Sequence, residues 1–241
     1  MKSLNWLVGV GVCGILASCG DSSPPRGEAA GGALDAAQRC AGLATAVTQW
    51  PAAGTRVVEA LWHEAGSVNS FMGPQKVPAH CEVSLVMNER EGAGGQKFAI
   101  RFKVRLPEAW NKRLFFMGGG GTNGMVGDAI GMIAPGQPNP LERGYVVVSQ
   151  DSGHDNTLNA VPELGGVVAF GFDAQARADY GGASIKPVTE ATKALINARY
   201  GAEPEKSYFS GCSKGGQEGM YTAQRFPELF DGILAGAPGF S

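Results

Sequence analysis

The chain has 241 residues, of which 44% are hydrophobic and 17% are charged, and its formal net charge is −2. This length and composition are typical of one globular domain with a sizeable core. The sequence contains no basic stretch that could offset phosphate charge, which excludes nucleic acid from the expected partners.

The N-terminal residues predict export. Lys2 precedes an apolar stretch, residues 4–16, that has the length of a signal-peptide core and is too short to span a membrane comfortably. The stretch runs into Leu-Ala-Ser-Cys19, which resembles a bacterial lipobox, where the signal is cut before the cysteine and the thiol is acylated. Residues 1–18 are therefore predicted to be a lipoprotein signal peptide; the alternative is an ordinary secretory signal cut near the same place.

Acylation of Cys19 would anchor the protein at the bacterial cell envelope, since two or more acyl chains hold a protein stably on a membrane. Gly20 stands where a lipoprotein retained at the inner membrane would carry aspartate, which favours the outer membrane. Residues 19–34 are rich in Gly, Ser, Pro and Ala and predict a flexible tether. The folded domain is expected over residues 35–241.

The five cysteines cannot all pair within the exported chain. Cys13 leaves with the signal peptide and Cys19 takes lipid, so Cys40, Cys81 and Cys212 remain. Cysteines of an exported protein meet an oxidising compartment and tend to pair there. Because three is odd, one thiol is free or has its partner outside this chain.

Hydrophobic periodicity predicts an α/β fold. A short helix is expected at residues 36–49, and strands with alternating apolar residues at 81–87 and 98–106, the second suiting the antiparallel edge of a mixed sheet. Later strands are nearly continuous apolar runs, as in strands buried on both faces. They lie at residues 113–117, 145–149, 208–210 and 232–235, and helices are expected at 174–179, 187–200 and 216–226. This alternation predicts a mostly parallel sheet with helices on both faces.

The segment Gly211-Cys212-Ser213-Lys214-Gly215 matches the pattern G-x-S-x-G, with an apolar strand before it and a helix after it. This is the context of the nucleophile elbow of an α/β-hydrolase, in which the serine stands on a strained turn. Glycines two residues to either side are needed because side chains there would collide with neighbouring backbone. Ser213 is therefore the predicted nucleophile.

Four consecutive glycines, residues 118–121, follow the strand at 113–117. In an α/β-hydrolase such a loop supplies one oxyanion N–H, and the residue after the nucleophile supplies another. The backbone N–H groups of Lys214, Gly120 and Gly121 are the predicted donors. The same glycines also fit the dinucleotide pattern G-x-G-x-x-G, but Gly and Pro interrupt the helix that this pattern requires, so no nucleotide cofactor is expected.

Five segments together resemble the tannase and feruloyl esterase family of α/β-hydrolases, which includes hydrolases of mono(2-hydroxyethyl) terephthalate. They cover most of the chain in order, at residues 110–121, 144–154, 208–216, 223–227 and 230–238. The resemblance implies an α/β-hydrolase fold, of which this chain holds the N-terminal portion. It also implies hydrolysis of small-molecule esters of aromatic acids, such as feruloyl or galloyl esters.

The resemblance further implies a disulfide between Cys40 and Cys81. It places Cys212 at a position that pairs, in the family, with a cysteine directly after the catalytic histidine; that partner is absent here. The lid domain, any calcium site within it, and the catalytic aspartate and histidine would all follow residue 241. The chain is therefore expected to be a fragment, inactive by itself, with no metal or other cofactor of its own.

Two positions near the nucleophile depart from the family pattern. Lys214 stands where the family has a small or acidic residue, and Gln217 where it has arginine. Lys186 and Pro187 also differ, from histidine and glutamate respectively. These departures are expected to alter contacts with the substrate rather than the nucleophile.

None of the three histidines fits the missing base. His154 precedes Ser213, whereas the order in this fold is serine, acid, histidine, so His154 is expected to bond locally or touch substrate. His63 and His80 are expected to be surface or structural residues, and Asp151 a turn residue. The alternatives to an esterase are a non-catalytic surface lipoprotein of the same fold and another α/β-hydrolase, such as a peptidase or polyester depolymerase.

Overall fold

The computed structural model of the protein describes residues 35–70, 72–134 and 136–239. The predicted signal peptide, Cys19 and the tether lie outside the described residues. None of the helices that the structure describes combines the length and apolar character of a membrane span.

The described residues form nine strands and five α-helices. The strands are β1 (Arg56–His63), β2 (Gly66–Ser70), β3 (Gly73–Val77), β4 (His80–Glu91), β5 (Lys97–Pro107), β6 (Arg113–Met117), β7 (Val146–Gln150), β8 (Lys206–Cys212) and β9 (Gly232–Gly236). The helices are α1 (Ala36–Ala41), α2 (Leu43–Ala46), α3 (Ala174–Ala178), α4 (Ile185–Tyr200) and α5 (Lys214–Arg225).

Seven strands form one mixed sheet in the order β1-β4-β5-β7-β6-β8-β9, and β2 and β3 form a separate hairpin. The pairs from β7 to β9 are parallel, whereas β1, β4, β5 and β7 pair antiparallel. The α/β class is confirmed, but the sheet is evenly divided rather than mostly parallel. The expectation that residues 98–106 form an edge is wrong, because β4 and β1 lie beyond β5.

The two faces of the sheet are covered differently. On one face, Phe116 and Phe209 pack with Ile185 and Leu195 of α4, and α5 covers β8 and β9. On the other face, Phe115 packs with Val77 of the hairpin and with Ile130 and Leu141, which lie between β6 and β7. The sequence predicted helices on both faces of the sheet, but the residues described around Phe115 belong to strands and loops.

Local signals explain most helix ends. Asp35 caps α1 through two reciprocal hydrogen bonds. Its carboxylate accepts the Gln38 N–H, and the Gln38 side-chain oxygen accepts the Asp35 N–H. The predicted helix 36–49 is two short helices that end at Ala46. Helix α4 begins two residues before the predicted start and ends at Tyr200; Gly201 caps it, and its φ of 68° suits glycine.

The Cys40–Cys81 disulfide joins α1 to β4 across 41 positions of sequence, as the resemblance implied. Both cysteines are completely buried in the core that also contains Leu43 and Val83. Cys212 is free and exposed among the described residues. The bridge therefore fixes the N-terminal helices on the antiparallel half of the sheet.

Loss of this bridge is expected to lower the free energy of unfolding by about 2–4 kcal/mol, because the unfolded chain gains the conformations that a closed loop excludes. Urea titration of the Cys40→Ala/Cys81→Ala variant, compared with the oxidised protein, measures the effect. Cys212→Ser, which leaves the bridge intact, is the control and should unfold like the parent. Equal midpoints for the double variant and the parent would contradict a stabilising bridge.

Candidate active site

Ser213 occupies the sharp turn between β8 and α5. Its φ of 58° and ψ of −116° lie outside the regions that non-glycine residues usually adopt, and the side chain is exposed. Two hydrogen bonds fix the turn: the Ser213 N–H donates to the Gly236 carbonyl at 3.0 Å, and the Gln217 N–H donates to the Ser213 carbonyl at 3.0 Å. The predicted strand–turn–helix context of an elbow is therefore present.

Glycines allow this turn because three backbone segments meet there. A Cβ on Gly211 would lie 2.5 Å from the carbonyl carbon of Gly215, and a Cβ on Gly215 would lie 2.8 Å from the Gly119 carbonyl oxygen. A Cβ on Gly118 would lie 2.9 Å from the Cα of Gly215. The spacing of glycines around Ser213 thus has the steric reason that the sequence predicted.

The glycine loop at residues 118–121 lies against the start of α5. The Gly118 N–H donates to the Ser210 carbonyl at 2.9 Å, and the Gly119 N–H donates to the Glu218 carboxylate at 2.9 Å. The backbone N–H groups of Gly120, Gly121 and Lys214 donate to no other residue that the structure describes. Gly118 and Gly119 lie against Gly215 at the elbow, and the role of Gly120, Gly121 and Lys214 as oxyanion donors stays a prediction.

A buried charged pair lies beneath the loop. Lys214 Nζ is 2.9 Å from Glu218 Oε1, and the two side chains are 3% and 0% exposed. The Ser152 hydroxyl donates to the same oxygen at 3.1 Å. Sequence reasoning missed this pair, although the i,i+4 spacing of Lys214 and Glu218 was a signal. The Lys214 side chain points into the protein, so the expectation that it alters substrate contacts is not supported.

His154 and Asp151 are both buried in the segment after β7. The His154 ring stacks on Phe170 with 3.7 Å between ring centroids, and burial lowers its pKa. Neither ring nitrogen has a hydrogen-bond partner of normal geometry among the described residues. Asp151 accepts the N–H groups of Arg101 and Gly153, and burial raises its pKa to about 7. The bond to Gly153 agrees with the predicted turn role.

His63, His80 and Glu82 form a second polar cluster on β1 and β4, with possible ligand atoms within 4.8 Å of one another. Arg105 Nη2 lies 2.6 Å from the Glu82 carboxylate, and Arg105 Nη1 lies 2.6 Å from His80 Nε2. Lys103 is 3.0 Å from Glu82. Burial lowers the His80 pKa to about 4. Two cations on the same carboxylate oppose a metal ion, so this cluster is best explained as structural ion pairing.

A cavity of about 690 Å³ opens beside the elbow at the carboxyl ends of the central strands. Its walls include Cys212, the glycine loop and several apolar side chains, but not Ser213. The apolar side chains are Met117, Met125, Val126, Met132, Ile133 and Leu234. Such a surface suits a flat apolar group better than a charged one.

Gly211→Ala is expected to lower the free energy of unfolding by about 1–3 kcal/mol, because the added Cβ would overlap the Gly215 backbone. Gly181→Ala is the matched control, since a Cβ at exposed Gly181 would meet no atom within 4 Å. It should change the free energy of unfolding by less than about 0.5 kcal/mol. Urea titration compares the two; equal losses would refute the steric explanation of the elbow glycines.

Comparisons with known proteins agree with this geometry. The family model described as tannase and feruloyl esterase matches residues 33–241. The chain is 46% identical over 192 residues to the mono(2-hydroxyethyl) terephthalate hydrolase of Piscinibacter sakaiensis, covering 79% of this chain and 32% of that protein. It is 30% identical over 158 residues to a probable feruloyl esterase B-2 of Aspergillus flavus, covering 66% of this chain and 27% of that protein.

The fold also matches a solved structure. Feruloyl esterase B from Aspergillus oryzae superposes with a TM-score of 0.66 at 24% identity, over 85% of this chain and 37% of that one. This likeness supports the α/β-hydrolase fold and nothing more specific. The chain spans about a third of the length of the relatives that it matches.

Proposed function

Because the chain belongs to the tannase and feruloyl esterase family, we propose that the protein is a carboxylic ester hydrolase with Ser213 as its nucleophile. One observation carries the proposal: Ser213 stands on a strained, exposed turn between β8 and α5, beside a glycine loop in which the Gly120 and Gly121 N–H groups donate to no described residue. A serine held in this way presents its hydroxyl at the end of the sheet, where ligands of α/β proteins bind.

In the proposed reaction, Ser213 Oγ attacks the ester carbonyl carbon while a base takes the hydroxyl proton. The negative charge that develops on the carbonyl oxygen is stabilised by the N–H groups of Lys214 and of Gly120 or Gly121. Each such donor typically contributes about 3–4 kcal/mol in the transition state. The tetrahedral intermediate then expels the alcohol, and water releases the acid from the acyl-enzyme.

The base is expected to lie outside residues 35–239. None of the three histidines hydrogen-bonds to Ser213. His80 is held by Pro78 and Arg105, His63 stacks on His80, and His154 is enclosed by aromatic rings. A serine hydroxyl without its base loses about 10⁴–10⁶-fold in rate. Residues 1–241 alone are accordingly proposed to be a piece of the working enzyme, of low activity.

The proposed substrates are small esters of aromatic acids. The names of the relatives point to this class, since they include a terephthalate ester hydrolase, feruloyl esterases and a tannase. The apolar cavity beside Cys212 gives a second reason, because its methionine and aliphatic side chains adapt to a flat ring.

Export and lipid anchoring through Cys19 complete the proposal. The lipobox-like sequence before Cys19 is one support. The Cys40–Cys81 disulfide is another, because disulfides persist mainly in oxidising compartments outside the bacterial cytoplasm. No calcium or other cofactor is proposed to bind residues 1–241; a calcium site of the family kind would lie in a lid domain.

Ser213→Ala is expected to lower kcat/KM for a nitrophenyl or feruloyl ester by about 10⁴-fold or more, because the acyl-enzyme can no longer form. The assay uses residues 1–241 fused to the C-terminal part of the terephthalate hydrolase relative, which would supply the missing base. Ser210→Ala, on the same strand, is the control. An unchanged rate in Ser213→Ala would exclude Ser213 as nucleophile, and equal rates for the fusion and residues 1–241 would exclude an outside base.

Cys19→Ser is expected to abolish incorporation of a clickable fatty acid in a bacterial host and to release the protein from the membrane fraction, because the acylated thiol is lost. Cys13→Ser, six residues earlier, should leave labelling intact. Gel fluorescence and fractionation measure both effects. Labelling that persists in Cys19→Ser would contradict anchoring at this residue and favour an ordinary secretory signal.

A further inference from the structure

Glu218 is a completely buried carboxylate one helical turn after the nucleophile elbow, and the proposed chemistry does not use it. Four groups donate to it: the Gly119 N–H, the Lys214 ammonium and the Ser152 hydroxyl, at 2.9, 2.9 and 3.1 Å, and more distantly the Asn123 side-chain amide, at 3.5 Å. Removing a carboxylate from water costs several kcal/mol unless it is paired and hydrogen-bonded. The site meets both requirements.

The contacts of Glu218 join the two arms of the predicted oxyanion hole. Lys214, whose backbone N–H is one donor, is held through its side chain, and Gly119, which precedes the donors Gly120 and Gly121, is held through its backbone. Both arms therefore meet at one carboxylate that a rigid helix carries. A change at Glu218 would alter the distance between the donors without touching substrate.

The glycine loop has few other restraints. A Cβ at Gly120 or Gly121 would meet no atom within 4 Å, so packing does not hold this part of the loop. At its start, the Gly118 N–H donates to the Ser210 carbonyl at 2.9 Å. Further along, the Gly120 carbonyl accepts the Asn123 N–H at 2.9 Å and the Gly121 carbonyl accepts the Tyr180 hydroxyl at 3.2 Å. Glycine also has the largest conformational freedom to lose on ordering. A charged acceptor at Gly119 offsets that cost.

The position of Lys214 has an electrostatic consequence. An isolated carboxylate behind the loop would oppose the negative charge that develops on a substrate oxygen. Lys214 Nζ lies 2.9 Å from Glu218 and 4.4 Å above the Tyr180 ring, where a cation is stabilised. The pair presents almost no net charge to the site while keeping the acceptor that Gly119 needs.

From these contacts we infer that Glu218 is a positioning residue of the oxyanion hole, with Lys214 as its counter-ion: it fixes the glycine loop against α5 through the Gly119 N–H. The inference rests on the proposed function for its catalytic meaning. The contact between the Gly119 N–H and Glu218, called the clamp below, is a property of the folded chain. It can be measured without an assay of ester hydrolysis.

Two double variants separate the clamp from simple loss of charge. Lys214→Met/Glu218→Gln removes both charges but keeps an amide oxygen that accepts from Gly119, whereas Lys214→Met/Glu218→Ala removes the acceptor. Neither leaves an unpaired buried charge. Glu190→Ala is a control, because Lys186 and Glu190 form a pair of the same spacing that is about 40% exposed.

Hydrogen–deuterium exchange of the 241-residue chain, read in peptides that cover residues 117–122, tests the clamp. The Ala double variant should exchange about 2–10-fold faster there than the Gln double variant, the range for loss of a neutral hydrogen bond worth about 0.5–1.5 kcal/mol. Peptides from β4 and β5 should stay protected in both, which shows that both variants fold. Glu190→Ala should exchange like the parent. Equal exchange of the loop in the two double variants overturns the inference.

The activity measurement uses residues 1–241 or the fusion protein described above, whichever hydrolyses the ester in a way that Ser213→Ala abolishes. The Ala double variant should show at least a 10-fold lower kcat than the Gln double variant with an unchanged KM, because oxyanion contacts are made mainly in the transition state. An equal kcat in the two overturns the catalytic role. Absence of hydrolysis in the parent instead refutes the proposed function, and the exchange measurement still decides whether Glu218 holds the loop.

Discussion

The close approach of three backbone segments around Ser213 is the constraint on which the rest of the site depends. Gly118, Gly211 and Gly215 lie so near one another that a side chain on any of them would overlap the backbone of its neighbours. The turn at Ser213, with its φ of 58°, requires the first turn of α5 to pack directly on the ends of β6 and β8. Glycine at these positions allows that close packing. Glycine thus makes possible both the elbow and the contact of the elbow with the loop.

The same choice of residue creates a difficulty, because a loop of glycines has no side chains to hold it. Polar contacts take over that task beneath the loop, where Glu218, Ser152 and Lys214 are almost completely buried. Buried polar networks of this kind are rigid when every member is satisfied and costly when one is not. The order of the loop is therefore expected to depend on a few named atoms rather than on the size of the core.

Much of the fold could be predicted because strands that are buried on both faces of a sheet are nearly continuous apolar runs in the sequence. The runs at residues 113–117 and 145–149 became central strands for that reason, and the glycine spacing around Ser213 identified the elbow. Strand β1 was missed because its buried and exposed residues do not alternate regularly, as is common for an edge strand. The hairpin of β2 and β3 was missed because it contains Gly66, Gly73 and Pro74, which weaken any strand pattern.

The elbow and the glycine loop of the candidate site could be predicted from the sequence, whereas the buried pair of Lys214 and Glu218 could not. A lysine and a glutamate four residues apart on a helix usually form a solvent-exposed pair, and nothing local in the sequence says that this one is covered. Its burial comes from distant residues, the glycine loop and Tyr180, which meet α5 only in the folded chain. Lys214 consequently has two parts in the proposed site: its N–H is a predicted oxyanion donor, and its ammonium lies behind the loop against Glu218. A residue directly after a nucleophile need not face the substrate, because the Lys214 side chain is buried against Glu218 and away from the exposed Ser213.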